Sequence, residues 1–249
     1  MNLIAWSLFA IIAFCVAPAL QLPPDFQRCR RSDPNINECL KSAIERAVHI
    51  MSRGLPKFKI ESIEPLKVSS MTIEEGIGMV RVIQNYKNCK IFNIASATVT
   101  NVSSTITDAV FQLNISAFLE DVYMASQYKL NGRVSMLSIM GEGDCTIKLK
   151  NEKANLHLIG EFTERNGKRY VEIEELKLKL DPEKVEMDFK NLFNGDPNLG
   201  PQINTIMNEN WRQIFNDVGH AYEAALGDIF KNIANRIFKR IPYDELFLP

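Results

Sequence analysis

Histidine is the side chain best suited to acid–base and zinc chemistry near neutral pH, and the chain contains three: His49, His157 and His220. Their wide separation does not match a zinc motif such as HExxH, in which two ligands share one face of a helix. The surrounding patterns place one histidine in a helix, one in a strand and one in another helix. We therefore interpret them as ordinary, partly exposed histidines and predict no metal site.

Two other stretches could be read as phosphate-binding or catalytic. The turn NGDPNLG, residues 194–200, is rich in glycine but lacks the Lys-Ser/Thr ending of a phosphate loop. Glu172, Glu174 and Glu175 could form a carboxylate pair, but a solvated strand face with a bulge explains them more simply. No GxSxG nucleophile elbow occurs, and the cysteines lack the context of a catalytic thiol. The sequence predicts a protein that is not an enzyme and needs no cofactor.

The first 19 residues, MNLIAWSLFAIIAFCVAPA, are typical of a secretory signal peptide. This segment carries no Lys, Arg, Asp or Glu, and the small residues Ala17 and Ala19 fit a cleavage site. The alternative is a membrane anchor, but the apolar run from Leu3 to Val16 is shorter than the roughly 20 residues that span a bilayer. No later segment suits stable membrane insertion. We predict a secreted, extracellular protein with a signal peptide at 1–19 and a single domain at 20–249.

The charge balance argues against nucleic-acid binding. Lys and Arg together number 29 and Asp and Glu 30, so the formal net charge is -1. A chain this close to neutrality has no overall field that attracts a phosphate backbone. The basic stretch RCRR, residues 28–31, is interpreted as a solvated arm.

Cysteine usage fits an oxidising compartment. Of the five cysteines, Cys15 would leave with the signal peptide, so Cys29, Cys39, Cys89 and Cys145 remain. Four thiols allow three pairings, and Cys29 with Cys39 is favoured because it would pin the proline-flanked arm LPPDF to the start of a helix. A loop of that length contributes roughly 2 to 3 kcal/mol. The remaining two either form a bridge or stay as buried thiols.

Hydrophobic patterns divide the chain into a helix, a strand region and a second helix. The segment NECLKSAIERAVHIMSRG predicts the first helix, with Asn37 as its cap and Gly54 as its stop. From about residue 58 to 189, apolar and polar residues alternate in long runs, which predicts antiparallel strands covered on one side. The first helix would direct one apolar face inward: Leu40, Ile44, Ala47, Val48 and Met51.

Local patterns in the strand region make three further predictions. The turn at residues 165–167, Arg-Asn-Gly, indicates a hairpin, and a slip of parity at Glu174–Glu175 indicates a bulge that bends its strand. Asn101 and Asn114 begin glycosylation sequons, and Asn114 falls on the solvent face of its strand. The inward set of that strand would be Ala109, Phe111, Leu113, Ile115, Ala117 and Leu119.

The C-terminal region predicts one long amphipathic helix from about Pro201 to Lys239. Gly200 and Pro201 are interpreted as its cap and first residue, and Pro242 as its stop. These 39 residues would extend roughly 58 Å, and only the sheet could cover so long an apolar stripe. The stripe has an eleven-residue repeat: Met207, Trp211, Ile214, Val218, Tyr222, Ala225, Ile229 and Ile233.

Four blocks of the sequence, with the signal peptide and the spaced pair Cys29 and Cys39, resemble the insect juvenile hormone binding protein and takeout family. The blocks are RGLPKFKIESIEPLKV at 53–68, YKLNGRVSMLSIMGEGDCTIKLKN at 128–151, NLFNGDPNLGPQINTIMNENW at 191–211 and IPYDELF at 241–247. They span essentially the whole mature chain. The resemblance implies an α+β fold with a short N-terminal helix and a long C-terminal helix wrapped by a highly curved antiparallel β-sheet. It also implies an elongated apolar cavity between sheet and helix.

The function that the resemblance implies is that of a secreted carrier for a small lipophilic ligand, a juvenile hormone or another terpenoid or fatty molecule. The alternative is a secreted signalling protein of the takeout type, whose cavity holds a constitutive lipid and whose surface meets a receptor. We expect a monomer. Strand parity and helical phase predict these lining residues: Phe111, Leu113, Ile115, Tyr123, Tyr128, Leu137, Trp211, Phe215 and Tyr222. Either Tyr123 or Tyr128 would offer its hydroxyl to an oxygenated end of the ligand.

Overall fold

The computed structural model describes residues 20–249, so the proposed signal peptide with Cys15 lies outside the described residues. The helices are α1 Ile36–Met51, α2 Leu199–Glu209, α3 Trp211–Phe238 and α4 Tyr243–Leu246. The strands are β1 Cys29–Arg30, β2 Leu66–Ile73, β3 Val80–Phe92, β4 Thr98–Ile106, β5 Phe111–Val134, β6 Leu137–Arg165, β7 Lys168–Asp181, β8 Lys184–Phe189 and β9 Phe247–Leu248.

Two long strands, β5 and β6, form the spine of a seven-stranded antiparallel sheet. They pair from one end of β5 to the other, from Phe111 opposite Gly160 to Val134 opposite Leu137. Along β5 lie β4 and then β3, with β2 outside β3, and along β6 lie β7 and β8. One helix, α3, contacts both β2 and β7, which are opposite ends of the strand order. The sheet must therefore curl around α3, which confirms the expected curved architecture.

The predicted hairpin and bulge are both confirmed by the strand register. Strand β6 ends at Arg165 and β7 begins at Lys168, with positive φ angles of 52° at Asn166 and 70° at Gly167. Two such residues suit the primed turns that match the twist of paired strands. Further along, Ile159 pairs with Glu175 while Gly160 pairs with Ile173, which leaves Glu174 as the extra residue. The bulge bends β7 where this strand packs against α3.

The inward set predicted for β5 is correct except for its first member, Ala109. Phe111, Leu113 and Leu119 are buried, whereas Asn114 is exposed. Ala109 is exposed because it lies before the strand, in a turn where the Thr107 amide donates to the Val110 carbonyl. Asn101 is also exposed, on β4. Both sequons are therefore accessible.

The prediction of one unbroken C-terminal helix is wrong, because the helix is interrupted at Asn210. This residue has φ -104° and ψ 20°, and it separates α2 from α3. Its side-chain Nδ2 donates to the Ile206 carbonyl at 2.8 Å, and its backbone amide donates to the same carbonyl at 3.0 Å. An asparagine amide that competes for helical carbonyls is a known cause of local interruption.

The predicted helix starts are also displaced. Helix α2 begins at Leu199 rather than at the Gly200–Pro201 cap, because the Asp196 carboxylate accepts hydrogen bonds from the Asn198 and Leu199 amides at 2.9 and 2.8 Å. Helix α1 begins at Ile36, so Asn37 lies inside the first turn instead of capping it. The Asn37 side chain accepts a hydrogen bond from Ser104 on β4 at 2.7 Å.

Asparagines on the C-terminal helices bind the exposed edges of the sheet. Asn204 and Asn208 on α2 each accept from and donate to the backbone of one residue of β8, Phe189 and Met187 respectively, at 2.7 to 2.9 Å. Asn235 on α3 forms the same pair of bonds with Ile173 on β7, both at 2.8 Å. Each amide thus occupies the donor and acceptor that an edge strand leaves unpaired.

Two buried carboxylates extend this arrangement. Glu223 on α3 accepts from the Leu180 amide of β7 at 3.0 Å. Asp217 accepts from the Gly78 and Val80 amides at the start of β3, the latter at 2.6 Å. We call five side chains the edge clamps: Asn204, Asn208, Asp217, Glu223 and Asn235. They fasten the C-terminal helices to both sides of the curled sheet through polar contacts.

The N-terminal arm is joined to α1 by the predicted disulfide between Cys29 and Cys39. Strand β1 also pairs in parallel with β9, with Cys29 opposite Phe247, so both ends of the described chain meet at one place. Cys89 and Cys145 are buried free thiols. The Ser126 hydroxyl lies 3.3 Å from the Cys145 sulfur, on the strand between the two cysteines. Burial raises the pKa of both thiols, which makes them poor nucleophiles.

The edge clamps predict a measurable loss of stability on Asn235→Leu. The substitution removes two hydrogen bonds and leaves the amide and carbonyl of Ile173 unpaired, so we expect the free energy of unfolding to fall by about 2 kcal/mol. Asn232→Leu is the matched control, because Asn232 is exposed on the same helix. Urea denaturation of both variants measures the difference. Equal stabilities of the two variants would contradict a clamping role.

Candidate ligand-binding cavity

An elongated cavity of about 490 Å³ lies between the concave face of the sheet and helices α1 and α3. All seven strands of the sheet contribute side chains to its wall. Helix α3 has 28 residues and therefore extends about 42 Å along the cavity. The side chains that it contributes are aliphatic or aromatic: Trp211, Ile214, Phe215, Val218, Tyr222, Leu226, Phe230, Ile233, Ala234, Ile237 and Phe238.

The amphipathic patterns of the sequence explain most of this wall. The apolar face predicted for α1 lines the cavity in full, from Leu40 to Met51. On the sheet, Ala117 of β5 stands opposite Ala154 of β6, and both line the cavity. Two small side chains at facing positions leave space that larger residues would fill. Small residues at facing positions and the curl of the sheet therefore both contribute to the cavity.

Six of the nine residues predicted to line the cavity do so: Leu113, Ile115, Tyr123, Trp211, Phe215 and Tyr222. They come from β5 and α3, which face each other across the cavity. The ring of Tyr123 stacks on that of Phe92, with centroids 4.7 Å apart. Ligand contact by these residues stays a prediction.

Phe111, Tyr128 and Leu137 do not line the cavity, and each has a different reason. Phe111 is buried in an aromatic cluster, with its ring centroid 5.5 Å from those of Phe238 and Phe247. Because Phe111 has the same parity as Leu113, the pattern could not separate filled core from open cavity. Leu137 is 45% exposed where β6 begins.

Tyr128 is occupied by a structural contact. Its hydroxyl donates to the Lys190 carbonyl at 2.6 Å, and its ring packs edge-on against Phe189 at 4.9 Å. Burial raises the pKa of this phenol to about 12. The hydroxyl therefore holds the segment after β8 in place, and the prediction that it could bind a ligand oxygen is wrong.

A polar cluster formed by Gln84, Tyr86 and Tyr222 lies on the cavity wall beside α3. Both hydroxyls lie 2.8 Å from the Gln84 Oε1, and they lie 2.7 Å from each other. Burial raises the pKa of both tyrosines well above its ordinary value, so the cluster is uncharged. The sequence analysis missed Gln84, although the alternation Val80, Val82, Gln84 placed a polar residue at an inward position.

Glu152 is the second polar feature of the cavity wall. Its side chain is only 1% exposed, its Oε1 accepts from the Asp181 amide at 2.9 Å, and its Oε2 has no hydrogen-bond partner within residues 20–249. Burial, with the nearby Asp181 and Glu223, raises the pKa of Glu152 to about 7, against the opposing effect of the Asp181 amide. Sequence analysis missed this residue, which shares the inward parity of Ala154 and Leu158.

The candidate catalytic residues do not come together. His49, His157 and His220 lie on α1, β6 and α3, and none of them lines the cavity. In the described part of the chain, no three His, Cys, Asp or Glu side chains are grouped in a way that could hold a metal ion. Among the helices of residues 20–249, none combines the length and apolar character needed to cross a bilayer.

A curved sheet and a long helix that enclose an apolar cavity define a class of proteins that bind small hydrophobic ligands. The chain belongs to the haemolymph juvenile hormone binding protein family, whose model matches residues 8–248. The crystal structure of Takeout 1 from Epiphyas postvittana is similar, with a TM-score of 0.76 and 25% sequence identity, covering 90% of this chain and all of that one.

Curated relatives agree with this assignment. The circadian clock-controlled protein daywake of Drosophila melanogaster is 24% identical over 231 residues, which cover 90% of this chain and 88% of the relative. The protein of the same name from Drosophila yakuba is 22% identical over 253 residues and covers 99% and 94%. The family resemblance identified from the sequence blocks is therefore confirmed.

The raised pKa of Glu152 predicts a specific dependence of stability on pH. Because the pKa rises from 4.5 to about 7 on folding, the stabilising contribution of the neutral acid is complete below pH 4.5 and is lost as the pH rises through 7. Between pH 4.5 and 8, the free energy of unfolding should therefore fall relative to that of Glu152→Gln, by on the order of 3 kcal/mol. Thermal and urea unfolding across this range measure the change. Glu120→Gln, at an exposed position of β5, is the control and should follow the wild type.

Proposed function

We propose that the protein is a secreted carrier that binds a small hydrophobic ligand, a juvenile hormone or another terpenoid or fatty molecule, in the cavity between sheet and α3. The observation that carries this proposal is the continuous apolar wall around about 490 Å³ of space. Transfer of a ligand from water to such a wall is favourable by about 2.5 kcal/mol for each 100 Å² of apolar surface buried. The volume lies within the usual range of small-molecule sites.

The attachment of the helices to the sheet by the edge clamps supports a ligand-binding role for the cavity. An empty apolar void normally destabilises a protein, because its lining loses dispersion contacts. Here the edge clamps fasten the helices to the sheet outside the cavity, so the wall does not depend on contacts across it.

Secretion is supported by features at the N-terminus and on the surface. The segment at 1–19 has the composition of a signal peptide, and the Cys29–Cys39 disulfide fits an oxidising compartment. Asn101 and Asn114 are exposed, as glycosylation requires.

A second candidate function is a secreted interaction protein with a constitutively bound lipid. It is favoured by two adjacent turns that expose apolar side chains, with Ile77 75% and Met136 97% exposed. The Ser135 amide donates to the Met79 carbonyl and joins these turns. Such side chains are suited to contact with a partner. Exchange of the ligand separates the two functions, because a carrier must release its ligand without unfolding.

Trp211 provides a direct test of binding. The chain has two tryptophans, and Trp6 lies in the proposed signal peptide, so Trp211 reports alone on the cavity of the mature protein. We expect its fluorescence to change saturably when delipidated protein is titrated with farnesyl acetate, with a 1:1 complex in native mass spectrometry. If delipidation unfolds the protein, or if no saturable binding occurs, the carrier function is wrong. Release of free acid or alcohol from the ester would indicate an esterase instead.

Ala117→Phe should block the cavity. The added ring would occupy the space that the Ala117–Ala154 pair leaves open, so we expect farnesyl acetate to bind at least about tenfold more weakly, a loss of about 1.4 kcal/mol. Ala109→Phe is the matched control, because Ala109 is exposed outside the cavity. The same fluorescence titration measures both variants, and circular dichroism verifies that they fold. Equal affinities would place the ligand elsewhere.

A further inference from the structure

The cavity contains one acidic side chain and no basic one. Among the described residues that line it, Glu152 alone has a charged form near neutral pH, and none is Lys, Arg or His. An anionic head group in this cavity would have no cation with which to pair. It would also lie near the negative charges of Asp181 and Glu223, both of which act on Glu152. The wall therefore disfavours a ligand carboxylate, since an unpaired buried charge is costly.

Among the described polar side chains that line the cavity, Glu152 alone has a buried oxygen without a hydrogen-bond partner. Its Oε1 accepts from the Asp181 amide, but its Oε2 makes no hydrogen bond to any described residue. Glu223 is also buried, but its carboxylate accepts from the Leu180 amide and from Lys179. Polar groups in protein interiors rarely remain unpaired. The Oε2 of Glu152 therefore lacks a hydrogen-bond partner that a ligand could supply.

The surroundings of Glu152 are otherwise apolar. It pairs with Leu119 across strands β5 and β6. It also faces the same side of β6 as Ala154, which is two residues further along the strand. These two neighbours belong to a hydrophobic cluster completed by Leu178 and Leu180, with Phe215, Leu226 and Phe230 packed against it. All seven of these residues line the cavity. A polar ligand atom on this part of the wall would find Glu152 as its nearest carboxyl group.

The polar cluster of Gln84, Tyr86 and Tyr222 is a weaker candidate for binding a polar ligand atom. The oxygens of Gln84, Tyr86 and Tyr222 already lie within 2.8 Å of one another and bond among themselves. A ligand oxygen would have to displace one of these bonds. At Glu152 it would add a bond to an oxygen that has none.

We propose that Glu152 anchors the head group of an uncharged lipid alcohol, whose hydrocarbon chain occupies the apolar length of the cavity. This inference rests on the proposed carrier function and specifies its ligand class. A hydroxyl is the head group that suits both forms of the acid, because it donates to the carboxylate and accepts from the carboxylic acid. A carboxylate ligand cannot donate to ionised Glu152, and an ether or ester can only accept.

Competition among lipids with the same saturated chain tests the proposal. We expect 1-hexadecanol to bind the delipidated protein at least about tenfold more tightly than palmitic acid at pH 8, a difference that one hydrogen bond to a charged group would supply. Hexadecyl methyl ether, which lacks the donor, should fall between them. The fluorescence of Trp211 and native mass spectrometry report the three affinities. Wild-type preference for palmitic acid, or no preference, would overturn the proposal.

Three variants test whether the side chain of Glu152 causes the preference for the alcohol. Glu152→Leu should reduce the affinity for 1-hexadecanol about tenfold while leaving that for hexadecyl methyl ether within about twofold. Glu152→Gln keeps the shape and hydrogen-bonding capacity, so it should retain alcohol binding and bind palmitic acid more tightly than the wild type does. Glu120→Gln is the control, because Glu120 is an exposed acid on β5 outside the lining, and it should leave the ratio of alcohol to acid unchanged.

The outcomes distinguish this inference from the proposed function. If none of the three lipids binds the folded wild type saturably, the carrier function and the head-group assignment both fail. If the lipids bind but Glu152→Leu and Glu152→Gln leave the alcohol-to-acid ratio unchanged, the carrier function stands and the role of Glu152 is refuted. Should Glu152→Leu not fold, the isosteric Glu152→Gln alone decides, through its affinity for palmitic acid.

Discussion

The attachment of the C-terminal helices to the edges of the sheet is the constraint on which the rest of the structure depends. A sheet that packs its concave face directly on a helix would fill the space between them with interdigitated side chains. Here the polar edge clamps, from Asn204 to Asn235, bind the backbone of β7 and β8 and the start of β3. These bonds satisfy edge groups that would otherwise be open to water or to another chain. They hold the helices at the edges of the sheet. The apolar face of α3 and the concave face of the sheet therefore need not be in full contact.

Contact between α3 and the sheet is close where the cavity does not intervene. A Cβ atom on Gly227 would lie 2.9 Å from the Leu176 carbonyl of β7, so only glycine fits that approach. At the end of α3, Phe238 packs with Phe111 and Phe247 and closes the interior. Filled core and open cavity therefore share the same concave face. The polar residues Gln84 and Glu152 line the open part.

Several features were predictable from short stretches of the chain. The Asn166–Gly167 turn, the bulge at Glu174, the inward face of α1 and the Cys29–Cys39 pair all depend on residues near one another in sequence. The break at Asn210 was missed because the apolar stripe continues in phase across it. The edge clamps were missed as well, since an asparagine on the side of a helix has no signature until the strand beside it is known. Glu152 and Gln84 could have been noticed as polar residues at inward positions.

The sequence by itself determined which faces are apolar, where the strands turn and bend, and that a long helix must be covered by the sheet, because alternation and helical phase are local properties of the chain. Only the tertiary structure decided which inward side chains border the cavity. Phe111 and Leu113 have identical parity, yet one packs into an aromatic cluster and the other faces open space. The difference arises because Phe247 of β9 and Phe238 at the end of α3 pack against the ring of Phe111. Whether a buried side chain meets another atom or a void is set by elements distant in sequence, which no local pattern records.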